Sequence, residues 1–278
     1  MTFTSHTAWR FASTLAKGTA LVATSIYITQ TTLRIAASSK LGVVDEVGGP
    51  PSFIDSPTIR NHVNPHDRSS RVVDTHAVTL DVPLRKHVSD EMILARATKS
   101  FFHGWVFSLE ARALRLIRLQ DSKYTSMFPP NLLIIDAEAG WAELASTTVP
   151  AHVWDAAEIS DSALPELHTV LFGVFRLADV HLADVAGSGS NAAESHADFL
   201  FGSDGSQFAG CHRLSVERLQ VDAAGETQKV KVQLQCYACN PQSDDRGSRL
   251  LYAFHRFYAT ALFRETAGEV HRWLHSGR

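Results

Sequence analysis

Between Lys229 and Cys239 the chain reads KVKVQLQCYAC, and this stretch constrains the fold more than any other. Val230, Val232, Leu234, Cys236 and Ala238 fall on one parity, while Lys229, Lys231, Gln233, Gln235, Tyr237 and Cys239 fall on the other. A period of two with apolar residues on one face is the signature of a half-buried strand. The Val/Lys/Gln face is therefore expected to divide into an inner wall and a wet outer one. Two strands precede it, SHADFLFGS and FAGCHRLSVERL, joined by the turn DGS, and DAAGET makes the second connection. From Arg249 a helix is expected to run to the end. Leu250, Leu251, Phe254, Phe257, Tyr258, Ala261 and Leu262 follow an i, i+3, i+4, i+7 stripe and are assigned to its buried face.

The same alternation bears on Cys236-x-x-Cys239. The two thiols leave the strand on opposite sides. A redox pair needs both sulfurs together at a helix N-terminus, and a zinc knuckle needs them to converge in a turn with further ligands. The chain has three cysteines, so the remaining one is Cys211. A set of Cys211, Cys236, Cys239 and His212 would require the strand to break at Tyr237. The expectation is no metal and no cofactor, with Cys236 a small buried residue and Cys239 at a strand end. Three cysteines also exclude a disulfide scaffold and fit a reducing compartment.

Upstream, RVVDTHAVTLDVPL reads as a strand closed by Pro83, which cannot donate to a ladder. Ser89 is placed to cap a helix carrying Asp90 and Glu91 in its first turn. That helix continues through Ile93, Ala97, Phe101, Phe102, Trp105 and Leu109, so apolar almost all round that burial is expected. Gly104 inside it costs about 1 kcal/mol relative to Ala, which predicts a break there or close approach of another element. ARALRLIRL extends the helix toward Pro129 and Pro130, and NLLIID reads as a short strand. A further helix is expected from Pro165 through Leu167, Val170, Leu171 and Val174. FRLADVHLADV satisfies neither period cleanly and is assigned to strand.

Residues 1–44 contain Arg10, Lys17, Arg34 and Lys40 and no acidic residue. Removing them takes the net charge from −3 to −7. Only the 16 residues 18–33 separate Lys17 from Arg34, and seven of them are Thr, Ser or Gln, too few and too polar for a spanning helix. A positive, hydroxyl-rich, acid-free segment fits a mitochondrial transit peptide, with an amphipathic helix on a membrane surface as the alternative. Residues 45–70 are rich in Gly, Pro, Asn and Ser and read as a linker, which leaves 71–278 as one α+β domain. With a net charge of −3 and no basic run, a nucleic-acid partner is not expected.

Fourteen histidines are the other abundant source of chemistry. His62 and His66 sit with Asp67 in a Pro/Asn stretch without rigid spacing. His255, His271 and His275 read as surface or dipole-complementing positions on the last helix. His212 shares parity with Leu214 and Val216 and should look inward. It is then either a hydrogen-bonded core residue or an acid/base group in a cavity.

The last part of the chain resembles the helix-grip domains of the START-like, polyketide-cyclase-like superfamily. FLFGSDGSQFAGCHRLSVE, VKVQLQCYACNP and LLYAFHRFYATALFRETAGEV supply strand, strand, strand and helix in the order with which that fold ends. The resemblance is to the branch with a Gly-x-x-Arg-Phe-x-Val strand followed by a Ser-x-Pro strand end. Here Gly210, Arg213, Leu214 and Val216 stand at those positions, then Asn240-Pro241, with Leu for the aromatic residue and Asn for Ser. It implies a fold class of α+β: a curved antiparallel sheet packed on a long C-terminal helix, to which the N-terminal targeting or membrane-associating helix is added. It further implies a cavity for a lipophilic small molecule. Its walls would be Phe199, Phe201, Leu214, Leu234 and Cys236 on the strands, with Phe254 and Phe257 on the helix. Those same side chains can equally be plain core. A carrier for a hydrophobic molecule is the first functional expectation. The alternative is an enzyme of lipid or natural-product biosynthesis, on a polyketide or terpenoid, with His212 or Tyr258 as acid/base. An interaction protein needing no cavity is the third.

Overall fold

The computed structural model describes residues 27–36, 38–120, 144, 146–183, 194–205, 207–245 and 249–276. Within them the chain forms one sheet of eight strands, antiparallel except at one edge pair, with helices against one face. The strands are β1 (Val44–Val47), β2 (Val72–Pro83), β3 (His152–Val153), β4 (Val170–Leu171), β5 (Phe175–His181), β6 (Glu194–Gly202), β7 (Ala209–Val221) and β8 (Thr227–Cys239). Their spatial order is β1-β2-β8-β7-β6-β5-β4-β3. Strands β5 to β8 form a meander, and β2, early in the chain, zips onto the last strand along its whole length, from Val72 opposite Ala238 to Pro83 opposite Thr227.

The helices are α1 (27–36), α2 (Asp90–His103), α3 (Trp105–Gln120) and α4 (Arg249–His275). Ser89 caps α2 as its position suggests, its Oγ accepting from Met92 N–H at 3.2 Å. The break at Gly104 has a definite cause. Glu265, 2 % exposed on α4, accepts from the N–H groups of Trp105 and Val106, both at 2.9 Å. Its carboxylate closes the N-terminus of α3, where the backbone N–H groups have no partner within the helix.

The inner face of the sheet carries Val78, Leu80, Phe199, Leu214, Val232, Leu234 and Cys236 against α2, α3 and α4. An aromatic group fills this layer: Phe102 lies 5.0–6.2 Å from the rings of Phe101, Phe107, Phe172, Phe175 and Phe199. Four of these contacts are edge-on and that with Phe172 is stacked, and both geometries add to the area term.

Several expectations are corrected. Residues 45–70 are no linker. Strand β1 pairs with β2, Gly48 N–H donates to Val73 O at 2.8 Å, and the helical turn Pro51–Ile54 and the π-helical segment Thr58–Val63 lie across the outer face. Phe53, Ile59 and Val63 bury there a second core of Leu200, Cys211, Tyr237 and Cys239. The face assigned to water is therefore dry over Gln233, Gln235, Tyr237 and Cys239, and only Lys229 of that row is exposed. Gln233 and Gln235 are tolerated because each donates to Ser215 Oγ at 3.3 Å. Arg213 and Asp198 also meet under this cover, in a bidentate pair at 2.6 and 2.7 Å, with the guanidinium 5.0 Å over the Phe53 ring.

The helix expected after Pro165 is absent. The segment forms β4 and a tight turn into β5, with His168 at φ 72° and Phe172 at φ 53°, both in the left-handed region that ends helices. FRLADVH is strand β5, as assigned. NLLIID lies outside the described residues. The C-terminal helix is turned from the expected face. Leu250, Phe254 and Phe257 are 79 %, 60 % and 72 % exposed, and the buried line runs through Tyr252, Ala259, Leu262, Phe263, Thr266, Val270 and Leu274. Of the transit-peptide expectation, residues 1–26 lie outside the described residues. Helix α1 is docked: Tyr27 OH donates to Trp105 O at 2.7 Å and Arg34 pairs with Glu269 at 3.0 Å. No helix among the described residues is long and apolar enough to cross a membrane.

Candidate functional site

Alternation on β7 places His212 on the inner face. Its ladder partners there are Phe199 of β6 and Cys236 of β8. Its ring is enclosed by Phe201 at 4.6 Å, Phe101 at 5.6 Å and Phe175 at 6.2 Å between centroids. Over it, from α4, lies the His255 ring, stacked at 5.4 Å and 20°. His212 is 6 % exposed, and neither of its nitrogens has a hydrogen-bond partner; His255 Nε2 is buried without one as well. Each such group forgoes water without compensation, at roughly 1–3 kcal/mol. Burial pushes the pKa of His212 well below the usual histidine value, and the neighbouring His255 and His76 push it further the same way. His255 is lowered for the same first reason. Both rings are neutral at neutral pH. Cys236 is held as a thiol, pushed well up by burial and then by the charge of Asp74.

Beside this group runs a saturated polar chain. His76, on the inner face of β2, hydrogen-bonds Asp45 of β1 through Nδ1 and Asp74 through Nε2, each at 2.7 Å. Arg264 of α4 donates to the other oxygen of Asp45 at 2.8 Å, and the His76 ring stacks on Phe263. Burial draws the His76 pKa down, but the hydrogen bonds and charges of Asp74 and Asp45 outweigh it, and the imidazolium is favoured. This chain ties β1, β2 and α4 together.

Three groups of side chains among the described residues bring potential metal-ligand atoms within 4.8 Å of one another: His212, Cys236 and His255; Asp74, His76 and Cys236; Asp179, His196 and Asp198. Their donors differ in availability. His76 uses both nitrogens, Asp198 is engaged by both arms of Arg213, and His196 is bonded to Asp179 at 3.2 Å. Only in the first group are histidine nitrogens buried without a hydrogen-bond partner.

Of the residues singled out from the sequence, His212, Phe199, Phe201, Leu214, Leu234 and Cys236 share the inner face. Phe254 and Phe257 do not; they are exposed. Tyr258 is partly buried, and its hydroxyl donates to Glu110 Oε2 at 2.7 Å. The Tyr258 hydroxyl is thus engaged on α3, while the His212 ring packs under His255. His255, read as a surface position, is the ring that covers His212. The parity of His76 with Val78 and Leu80 could have marked it as inward-facing. Nothing local marked Asp45 or Arg264.

The site and fold thus define an α+β domain in which a C-terminal helix lies across an antiparallel sheet, with histidines buried where they meet. No protein-family model, curated protein or solved structure matches this chain.

Proposed function

We propose that this is a helix-grip type of domain that binds a lipophilic small molecule between sheet and C-terminal helix, as a carrier. The observation that supports it most is His212: a buried imidazole with both nitrogens open, set in an apolar and aromatic wall. Small-molecule sites combine such a wall with a few polar groups that orient the ligand. A ligand carbonyl or hydroxyl reaching His212 would supply the missing hydrogen bond, while Phe199, Phe201, Leu214 and Leu234 meet its apolar body. The pairing of β2 with β8 under α4 supports the same reading, since it brings the early part of the domain round to close on the last strand. The aromatic layer is closely packed, so entry requires side chains to move.

The test is binding of an anilinonaphthalene probe, with native mass spectrometry of the purified full-length protein in chelator-treated buffer. The expected result is saturable probe binding that a folded Leu234→Phe variant loses. Probe binding undiminished in that variant places the site elsewhere and returns the inner wall to plain core.

A further inference from the structure

We propose that His212, Cys236 and His255 form a site for a zinc-class divalent cation, with one coordination position left for another ligand. Three elements supply it. His212 and Cys236 are direct cross-strand partners on β7 and β8, so their side chains leave the sheet side by side on the inner face. His255 reaches down from α4 and stacks on His212. One potential ligand atom from each lies within 4.8 Å of the others.

The second observation is the state of the donors. Both nitrogens of His212 and Nε2 of His255 are buried without a hydrogen-bond partner. Buried imidazole nitrogens are ordinarily bonded to protein or water, and two adjacent rings left open toward a thiol are exceptions that need a partner. A cation satisfies a nitrogen of each at once. The donor set narrows the cation. Two imidazoles and one thiolate suit zinc or cobalt, whereas magnesium and calcium take oxygen ligands. Around a tetrahedral ion with bonds of about 2.0–2.3 Å, ligand atoms stand roughly 3.5 Å apart, so the site closes by adjustment of these side chains. Three protein ligands leave the fourth position for water or an oxygen or sulfur donor of a small molecule, the arrangement of sites where the metal acts as a Lewis acid.

The competing uses of these residues are weaker. Cys239, the other half of the Cys-x-x-Cys, cannot join, because it packs on the outer face with Cys211 and Val63. The adjoining Asp74 and His76 are already bonded to each other, which fits a supporting role beside Cys236 rather than competition for the ion.

This inference does not depend on the lipophilic ligand, since the metal reports by its own spectrum. Purified full-length protein is stripped with chelator and titrated with cobalt(II) alone, and separately with zinc. The expected result is one equivalent bound, with a thiolate-to-cobalt charge-transfer absorption that zinc abolishes. Cys236→Ser should lose that absorption, and His255→Ala should weaken binding at least about tenfold, the lower end of what even supporting residues of metal sites cost. Cys239→Ser should leave both unchanged. His255 lies on the half-buried helix face, so its variant keeps the test decisive where Cys236→Ser is poorly folded. Absence of stoichiometric cobalt or zinc binding by folded wild type overturns the proposal. So does a charge-transfer band that persists in folded Cys236→Ser, or an unchanged affinity in folded His255→Ala. Cobalt binding without probe binding would leave this site standing and remove the carrier reading; the reverse result would do the opposite.

Discussion

Gly104 lies against the carboxylate of Glu265 so closely that a Cβ at this position would stand 2.5 Å from Oε2. The same carboxylate holds the first two N–H groups of α3. Glycine is needed for this approach, and the residue that fills the gap is the cap. Gly104→Ala should therefore destabilise by roughly 1–3 kcal/mol, despite the roughly 0.4–1 kcal/mol that Ala gains by restricting the unfolded chain. Glu265→Ala, which strands two N–H groups, should cost about as much or more. Urea denaturation of both variants checks this; a stabilised Gly104→Ala would show that the cap can move aside.

The outer cover formed by residues 45–63 is a structural requirement. Phe53 is fully buried between Arg213 and Tyr237, and Phe53→Ala should cost about 3–5 kcal/mol. A chain beginning at Arg71 should be unfolded or aggregated, because it bares Tyr237 and Cys239 and frees His76 from Asp45. A soluble, cooperatively unfolding protein from Arg71 onward would contradict this.

Arg213 and Asp198 are 2 % and 0 % exposed. Removing one partner leaves a buried charge, so Asp198→Ala should cost roughly 3–5 kcal/mol. The double variant Asp198→Ala, Arg213→Met should recover part of that loss. A double-mutant cycle by chemical denaturation measures it; additive losses would mean the pair is not coupled.

Glu110 gives the fold a pH dependence of unusual sign. Burial raises its pKa above the ordinary 4.5, against the hydrogen bond from Tyr258, which lowers it. Between 4.5 and the raised value the folded protein binds more protons than the unfolded chain, so stability falls as pH rises through that window. Below 4.5 the contribution is fully present. Glu110→Gln cannot ionise, and it can still accept from Tyr258. Its stability relative to wild type should rise with pH across that window, as read from urea midpoints at successive pH values. A constant difference would show that Glu110 titrates normally.

Gly210 determines where the Phe201 ring can lie. A Cβ there would meet Phe201 Cζ at 2.3 Å and Tyr237 O at 2.5 Å. Gly210→Ala should cost about 1–3 kcal/mol and displace the ring that sits on His212. The imidazole signals of His212 in an NMR spectrum should shift with it. Unmoved signals in a folded variant would separate Gly210 from the site.

Local pattern carried β2 and the β6–β7–β8 meander well, because a period of two needs only a chain and one buried side to be read. It also separated Cys236 from Cys239 and turned His212 inward. The cap at Ser89 was legible for the same reason: it depends on residues three apart. The pattern misled where burial came from distant sequence. Gln233, Gln235 and Tyr237 look solvated until Phe53, Ile59 and Val63 fold over them, and a Gly/Pro-rich stretch gives no local sign of doing so.

On α4 the apolar stripe points to Phe254 and Phe257, because periodicity within one helix records hydrophobicity alone. The face turned to the sheet is instead set by what α2, β2 and β8 offer, and there Tyr252 and His255 precede the apolar line. The candidate site follows that division. Strand parity by itself brought His212 and Cys236 to one face. Only the docking of α4, which begins at Arg249 beyond the end of β8, added His255, and only the pairing of β2 with β8 set Asp74 and His76 beside them. Such contacts arise from packing between elements far apart in the chain, which no periodicity within one element records.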